Sequence, residues 1–340
     1  MQAKAAPLQI AILAVPEVTA STLYGMHDLL SSAGRDYAYI TRGEPGEARM
    51  LPRIVARDTK AFLAANNVWV TPHASYADLP TPDIVCIPDF FIDPGGSVAG
   101  QYADEARWLR RVHDEGAVIA TACSGAVLLG EAGLLANCEA TIHWGYGKTL
   151  TSHYPGVRVN LSQPLVVSGN AHRIVMAGGG TSFQDLSLYL IARYVGFKEA
   201  VEVAKVYMLQ WHELGQQPFA TLMSLRQTDD ALINHCQQWL EKNFRRPAPV
   251  AAMVANSKLP ERTFARRFRK ATGLTPLDYV HAVRLEEAKR LLELGESSVE
   301  IIALQVGYED ATFFGRLFRR RIGMTPARYR ARFTSLRRNY

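Results

Sequence analysis

The sequence predicts an α/β domain built on a largely parallel sheet, followed by a smaller all-α domain that carries one helical unit twice. Three observations lead there. Short apolar runs alternate with helical periodicity through the first 195 residues, the pattern of strands buried on both faces of a sheet. From Asp229 onward the periodicity is helical throughout. Within that second part, residues 260–276 and 310–326 are nearly the same text at an offset of 50 residues.

The totals fit two domains. At 340 residues the chain has room for about two domains of ordinary size. With 48% hydrophobic and 21% charged residues, it has ample material for a core in each. The net charge of +6 is unevenly placed: residues 229–340 hold 21 Lys+Arg against 12 Asp+Glu, whereas the preceding residues carry a net −3. Such asymmetry points to a polyanionic partner for the second domain. Cys86, Cys123, Cys138 and Cys236 show no paired spacing, so neither a zinc site nor a disulfide framework is indicated. His73, His113, His153 and His172 lack metal-ligand spacing, and no cofactor is expected. The first residues lack a signal peptide's apolar core, and no apolar run approaches the roughly 20 residues of a membrane span. The expectation is a soluble protein of the reducing cytoplasm with no membrane partner.

Taken in order, residues 8–15 (LQIAILAV) form the first strand, and a helix through Leu23, Met26, Leu29 and Leu30 stops at Gly34. Further strand-like runs lie at 37–40, 68–70, 84–88, 118–122, 157–159, 165–167 and 174–176. Helical segments at 104–115, 124–132 and 182–195 separate several of them. Residues 49–79 carry no readable motif. After Gly196 a helix places Ala200, Val203, Ala204 and Tyr207 on one face, and Gly215-Gln-Gln-Pro218 breaks the pattern, leaving 212–228 as a linker. The expected domains are 8–196, a connection at 197–228, and 229–335.

The repeated unit reads as a helix ending at glycine, then a Thr-Pro start for the next helix. Phe264 matches Phe314, Arg266 matches Arg316, Phe268 matches Phe318, Gly273 matches Gly323, and Tyr279 matches Tyr329. The six aromatics are expected in the core. Arg262, Arg266 and Arg269 turn away from Phe264 and Phe268. Preceded by bracing helices at 250–255 and 299–305, these are two helix-turn-helix units, with Gly307 in the second turn. Arginine suits the major groove because its planar fork takes guanine O6 and N7 together. The expected partner is double-stranded DNA.

Residues 229–335 resemble the AraC/XylS family of bacterial transcription regulators, most specifically in Ile302-Ala-x-x-Val-Gly-Tyr-x-Asp-x-x-Phe-Phe-x-Arg-x-Phe-Arg-Arg-x-x-Gly-Met-Thr-Pro326. The resemblance implies two helix-turn-helix units joined by a long helix at 277–294. By position it makes Arg262, Ala265 and Arg266 base-facing in the first reading helix, and Ala311, Thr312 and Arg316 in the second. Arg269 and Arg320 complete the DNA-binding set, and the remaining arginines and lysines would meet phosphate.

In the first domain, Val118-Ile-Ala-Thr-Ala-Cys123-Ser-Gly-Ala-Val-Leu-Leu-Gly130 is an apolar strand turning sharply into a helix. Such an elbow exposes its cysteine, and the helix N-terminus would favour the thiolate. His143, in Ala140-Thr-Ile-His-Trp144, is a candidate base. Gly178-Gly-Gly reads as a tight turn before a helix, without a P-loop lysine. These features, with Gly133-Leu-Leu and residues 178–188, resemble the PfpI/class I glutamine amidotransferase superfamily. The likeness is to its GlxA-type branch, where such a domain precedes an AraC-type one. The resemblance implies a flavodoxin-like α/β sandwich and homodimerisation through it. There are departures. PfpI-type hydrolases carry histidine directly after the nucleophile, where this chain has Ser124. Class I amidotransferases carry an acid two residues past the histidine, where this chain has Gly145. Near the first strand the superfamily often supplies an acid; here 19–23 has none, although Glu17 lies close by.

A cysteine–histidine pair without an orienting acid argues against turnover, so the protein is not expected to be an enzyme. The expectation is a one-component regulator whose old active site binds a small-molecule effector at Cys123, Ser124, His143 and Trp144. The GlxA-type resemblance suggests a nitrogenous effector. Transcriptional activation with RNA polymerase as partner is the expected output, with repression the alternative. The rival readings are a cysteine-dependent amidase or hydrolase with a DNA-anchoring domain, and a Cys123 redox sensor.

Overall fold

The computed structural model describes residues 6–212, 215–220, 228 and 230–334. The chain divides into two compact units, Met1–Gln216 and Gln217–Tyr340. The strands, in chain order, are β1 (Leu8–Leu13), β2 (Met50–Ala56), β3 (Phe62–Ala64), β4 (Val68–Val70), β5 (Ala74–Ser75) and β6 (Ile84–Ile87). They continue with β7 (Val118–Ala122), β8 (Glu139–Ala140), β9 (Arg158–Val159), β10 (Leu165–Ser168) and β11 (Ile174–Ala177). Among the described residues, seven of these form one sheet in the order β10-β11-β7-β6-β1-β2-β5. All neighbours are parallel except β10 with β11 at the edge. Every residue of β6, β7 and β11 is buried, which is why these strands read as unbroken apolar runs: helices cover both faces. The helices of this unit are α1 (Ala20–Ser32), α2 (Asp36–Arg42), α3 (Ala103–Asp114), α4 (Ala126–Glu131), α5 (Gly147–His153), α6 (Ser182–Tyr194) and α7 (Phe197–Val206).

One strand assignment changes, and two strands lie outside the main sheet. Residues 37–40 lie in α2, with Asp36 in its first turn and left-handed Gly43 closing it. Tyr39 and Ile40 are exposed, so an apolar run of four marks neither a core nor a strand here. The runs at 68–70 and 157–159 are strands but lie outside the main sheet, in the two-stranded pairs β3–β4 and β8–β9. Residues 49–79, where no motif was legible, supply β2, next to the edge strand β5. Pro52 and Arg53 disguise it. Proline is tolerated because β5 pairs only with Val55 and Ala56, leaving that edge of β2 open at Pro52.

The second unit is helical throughout its described residues: α8 (Ala231–Asn243), α9 (Pro249–Ser257), α10 (Glu261–Thr272), α11 (Pro276–Leu294), α12 (Val299–Gln305), α13 (Ala311–Ile322) and α14 (Pro326–Phe333). The repeated punctuation does what its chemistry dictates. Gly273 and Gly323 close α10 and α13 with φ of +78° and +86°. Thr275 and Thr325 then cap the next helices by accepting from the N–H of Asp278 and Arg328, with proline in the first turn. All six matched aromatics are buried. They form the same edge-on stack twice: Phe268 against Tyr279 at 5.4 Å and 75°, and Phe318 against Tyr329 at 5.6 Å and 81°.

One side chain welds the two copies. Arg284, in the long helix α11, is buried and donates to the carbonyls of Phe244 and Arg246 at 2.8 Å each, while its guanidinium lies 5.0 Å from the Tyr308 ring. It thereby joins the end of α8 to the turn before α13.

Candidate functional site

The surface of the second unit follows from this packing. With Phe264, Phe268, Phe314 and Phe318 committed to the core, helical geometry turns Arg262, Arg266 and Arg269 outward on α10, and Thr312, Arg316 and Arg320 on α13. All six are exposed; Ala265 and Ala311 are half-buried beside them. Arg262, Ala265, Arg266 and Arg269 line one surface groove together with Thr275 and Pro276. Two neighbouring arginines are spent internally: Arg267 donates to Asp230 at 2.7 and 3.0 Å, and Arg321 pairs with Asp278. Each ties a reading helix to the start of another, α10 to α8 and α13 to α11. The charge count alone did not separate these braces from the outward arginines.

In the first unit the site forms at the carboxyl ends of β6, β7 and β11, beside the point between β1 and β6 where the strand order reverses. Cys123 ends β7 with φ +54°, the strained elbow expected of its sequence. Its N–H donates to the Gly178 carbonyl at 2.9 Å, fixing the elbow against the glycine loop. That loop must be glycine: a Cβ on Gly179 would lie 1.8 Å from Cδ2 of His143, and one on Gly178 would lie 2.5 Å from Nε2 of Gln216.

The surroundings of Cys123 work against the expected thiolate. Burial pushes the Cys123 thiol up to about 12, and the nearby Asp89 carboxylate pushes the same way; the facing N–H groups of Ser124 and Gly180 oppose this and lose. His143 is held by its own loop. Its Nδ1 accepts from the N–H of Gly145 at 3.1 Å, and burial lowers its pKa against the pull of Asp89. Among the described residues no hydrogen bond joins His143 to Cys123. The Ser124 hydroxyl is engaged within the fold. It is buried, donating to the Phe90 carbonyl at 2.6 Å and accepting from the Phe90 N–H at 2.8 Å. Trp144 is half-buried beside His143, with ring centroids 5.1 Å apart.

The carboxylate of the site is Asp89, which the sequence reading did not select. It follows β6 and accepts from the Thr19 hydroxyl at 2.7 Å across the reversal point, and its charge reaches Cys123, His143 and Tyr146. An acid directly after an apolar parallel strand, here Ile84-Val-Cys-Ile-Pro-Asp89, was the available signal. Glu17 instead lines a separate cavity of about 410 Å³ with Arg57, Lys60, Phe62, Tyr102 and Glu105, and accepts from Gln101. Part of that lining comes from residues 49–79. Also unforeseen was Gln216, whose buried carboxamide sits between the His143 and glycine loops.

Comparisons with known proteins divide the chain in the same way. Residues 47–192 match the DJ-1/PfpI family and residues 253–332 match a helix-turn-helix domain. The chain is 27% identical to the HTH-type transcriptional regulator CdhR of Pseudomonas aeruginosa, over 82% of this chain and 81% of that protein. It is 28% identical to the HTH-type transcriptional regulator GlxA of Rhizobium meliloti, over 66% of this chain and 68% of that one. Among solved structures, a THiJ/PfpI family protein from Pseudomonas syringae superposes with a TM-score of 0.50 at 20% identity, covering 61% of this chain and 77% of that one.

Proposed function

We propose that this chain, which joins a DJ-1/PfpI domain to an AraC-type helix-turn-helix domain, is a DNA-binding transcription regulator controlled by a small metabolite held in the first unit. The observation that carries this is the pair of exposed arginine faces, on α10 and α13, each set by an identical buried aromatic stack. Arg262, Ala265 and Arg266 read one major-groove segment, and Ala311, Thr312 and Arg316 the next; Arg269 and Arg320 bind phosphate. The effector lies near Cys123, His143 and Trp144, and the half-buried carboxylate of Asp89 favours a nitrogenous, cationic group there. Binding biases a two-state arrangement of a homodimer, and the expected output is activation through RNA polymerase.

The hydrolase and redox readings gain nothing from this site. Among the described residues no base is hydrogen-bonded to Cys123, and burial works against its thiolate, the form that both readings need. The test is DNA binding across upstream regions at several salt concentrations, with Arg266→Ala, Arg316→Ala and Cys123→Ala beside wild type. Each arginine variant is expected to lose about 1–3 kcal/mol at discrete sites, with relaxed choice at the position it reads. Cys123→Ala should bind DNA as wild type does. Uniform, salt-sensitive binding with no preferred site would leave only a DNA-anchoring role.

A further inference from the structure

The segment that leaves α7 returns to the site just described, and one of its side chains enters it. Gln216 is 6% exposed. Its Oε1 accepts from the N–H groups of Trp144 at 2.9 Å and Gly179 at 3.0 Å, and its Nε2 donates to the carbonyl of Ile142 at 2.8 Å. All three partners are backbone groups whose donor or acceptor roles cannot change, so the amide can sit only one way round. We infer that this slot is a carboxamide-binding site, occupied here by the chain's own Gln216, and that an effector bearing a primary amide binds by displacing it. The inference rests on the reading that the first unit holds the effector.

The slot selects chemistry sharply. Two converging N–H groups welcome the oxygen of an amide or a carboxylate. The Ile142 carbonyl then demands a donor, which an amide supplies and a carboxylate or ester does not; a carboxylate there would bury an anion against a lone pair. Room for the group is kept by Gly178, where any Cβ would strike Nε2 of Gln216. Gly179 brings the His143 ring alongside, so a ligand entering the slot also meets the Cys123–His143 site.

Gln216 is held by a second anchor in the same stretch. His212 places its N–H and Nδ1 on the buried carboxylate of Asp185 at 3.0 and 2.6 Å, and its Nε2 lies 3.3 Å from the Thr181 hydroxyl. Residues 212 and 216 are thus pinned to the loop and helix start at 178–185. Gln217 and Pro218 follow in sequence, and then the second unit takes hold: Lys289 of α11 donates to the Ala220 carbonyl at 2.6 Å, and Phe219 packs against Phe333 at 5.5 Å. Displacing Gln216 therefore frees the chain at the point where it leaves the effector unit for the helix that joins both DNA-reading groups.

The experiment measures binding of propionamide, with isosteric propionate as control, to full-length wild type and Gln216→Ala, and follows hydrogen exchange through residues 207–216. Removing the internal competitor should tighten propionamide binding by about tenfold or more, since apparent affinity scales with the fraction of open sites. Propionate should bind neither protein, and saturating propionamide should raise exchange at 207–216 in wild type. Gln216→Glu, which keeps the volume, should behave as an unlatched protein if the alanine variant folds poorly. Equal affinity of wild type and a cooperatively folded variant for propionamide, no amide binding by either variant, or equal binding of propionate would overturn the inference. Any of these would leave site-specific DNA binding and its loss in Arg266→Ala untouched, so the two readings fail separately.

Discussion

The two turns that precede the reading helices use the same device and choose different residues for it. Before α10 the positive-φ position is Lys258, at +55°; before α13 it is Gly307, at +91°. Their surroundings explain the choice. Lys258 is exposed, so its side chain extends into solvent and only the backbone strain is borne. At Gly307 a Cβ would lie 2.9 Å from both the Arg245 carbonyl and the Arg284 guanidinium. The second turn is closed against the end of α8 and the first is open. The helix starts differ as well: Asp310 caps α13 by accepting from Thr312 and Phe313, whereas α10 begins at Pro260 with no side-chain cap. A repeat in sequence is thus not a repeat in local packing. The second copy is locked by its neighbours and its cap, and the first leans on α8, where Arg267 meets Asp230.

The difference can be broken most forcefully at Gly307. Gly307→Ala combines positive-φ strain with a clash against backbone, and should destabilise the second unit by about 2–4 kcal/mol, read by denaturant unfolding of the full chain. It should also displace Arg284 and so weaken binding at both half-sites together. A loss confined to the second half-site would show that Arg284 does not weld the copies. Asp310→Ala should have a smaller effect, and one with a pH signature. The N–H of Phe313, then that of Thr312 and the nearby Arg316, hold the Asp310 carboxyl below the usual carboxylate range. Its contribution is fully present above the unfolded value of about 3.9 and is lost as pH falls through the lower folded value. The variant should therefore show a shallower acid limb than wild type. The smallest change is Lys258→Gly, which relieves left-handed strain at an exposed site but loosens the unfolded chain, for a net gain of about 0.5 kcal/mol in thermal unfolding. A destabilised Lys258→Gly would mean that the lysine side chain has a contact that offsets its strain.

Legibility in the sequence followed locality. The glycine stops, Thr-Pro starts, buried phenylalanines and outward arginines were readable because each depends on residues within one or two helical turns. The elbow at Cys123 was readable for the same reason. β2 was missed because Pro52 breaks the apolar run, and α2 was misread because four apolar residues fit two periods. The carboxylate at Asp89 was marked only by its place directly after an apolar strand, and the amide of Gln216 and the braces Arg267 and Arg321 left no local trace.

The sequence by itself determined two domains, an α/β class for the first, a doubled helical reading unit for the second, and which faces of that unit are core and which are arginine. Only the tertiary structure decided which arginines are available and how burial and charge act on the Cys123 thiol. Availability depends on acids far along the chain: Asp230 lies 37 residues from Arg267 and Asp278 lies 43 from Arg321. The state of the thiol depends on how much water the packed chain removes from around it and on an aspartate delivered by a neighbouring strand. Burial and long-range charge are properties of the folded path, and a sequence pattern records them only where they coincide with a helix or a strand.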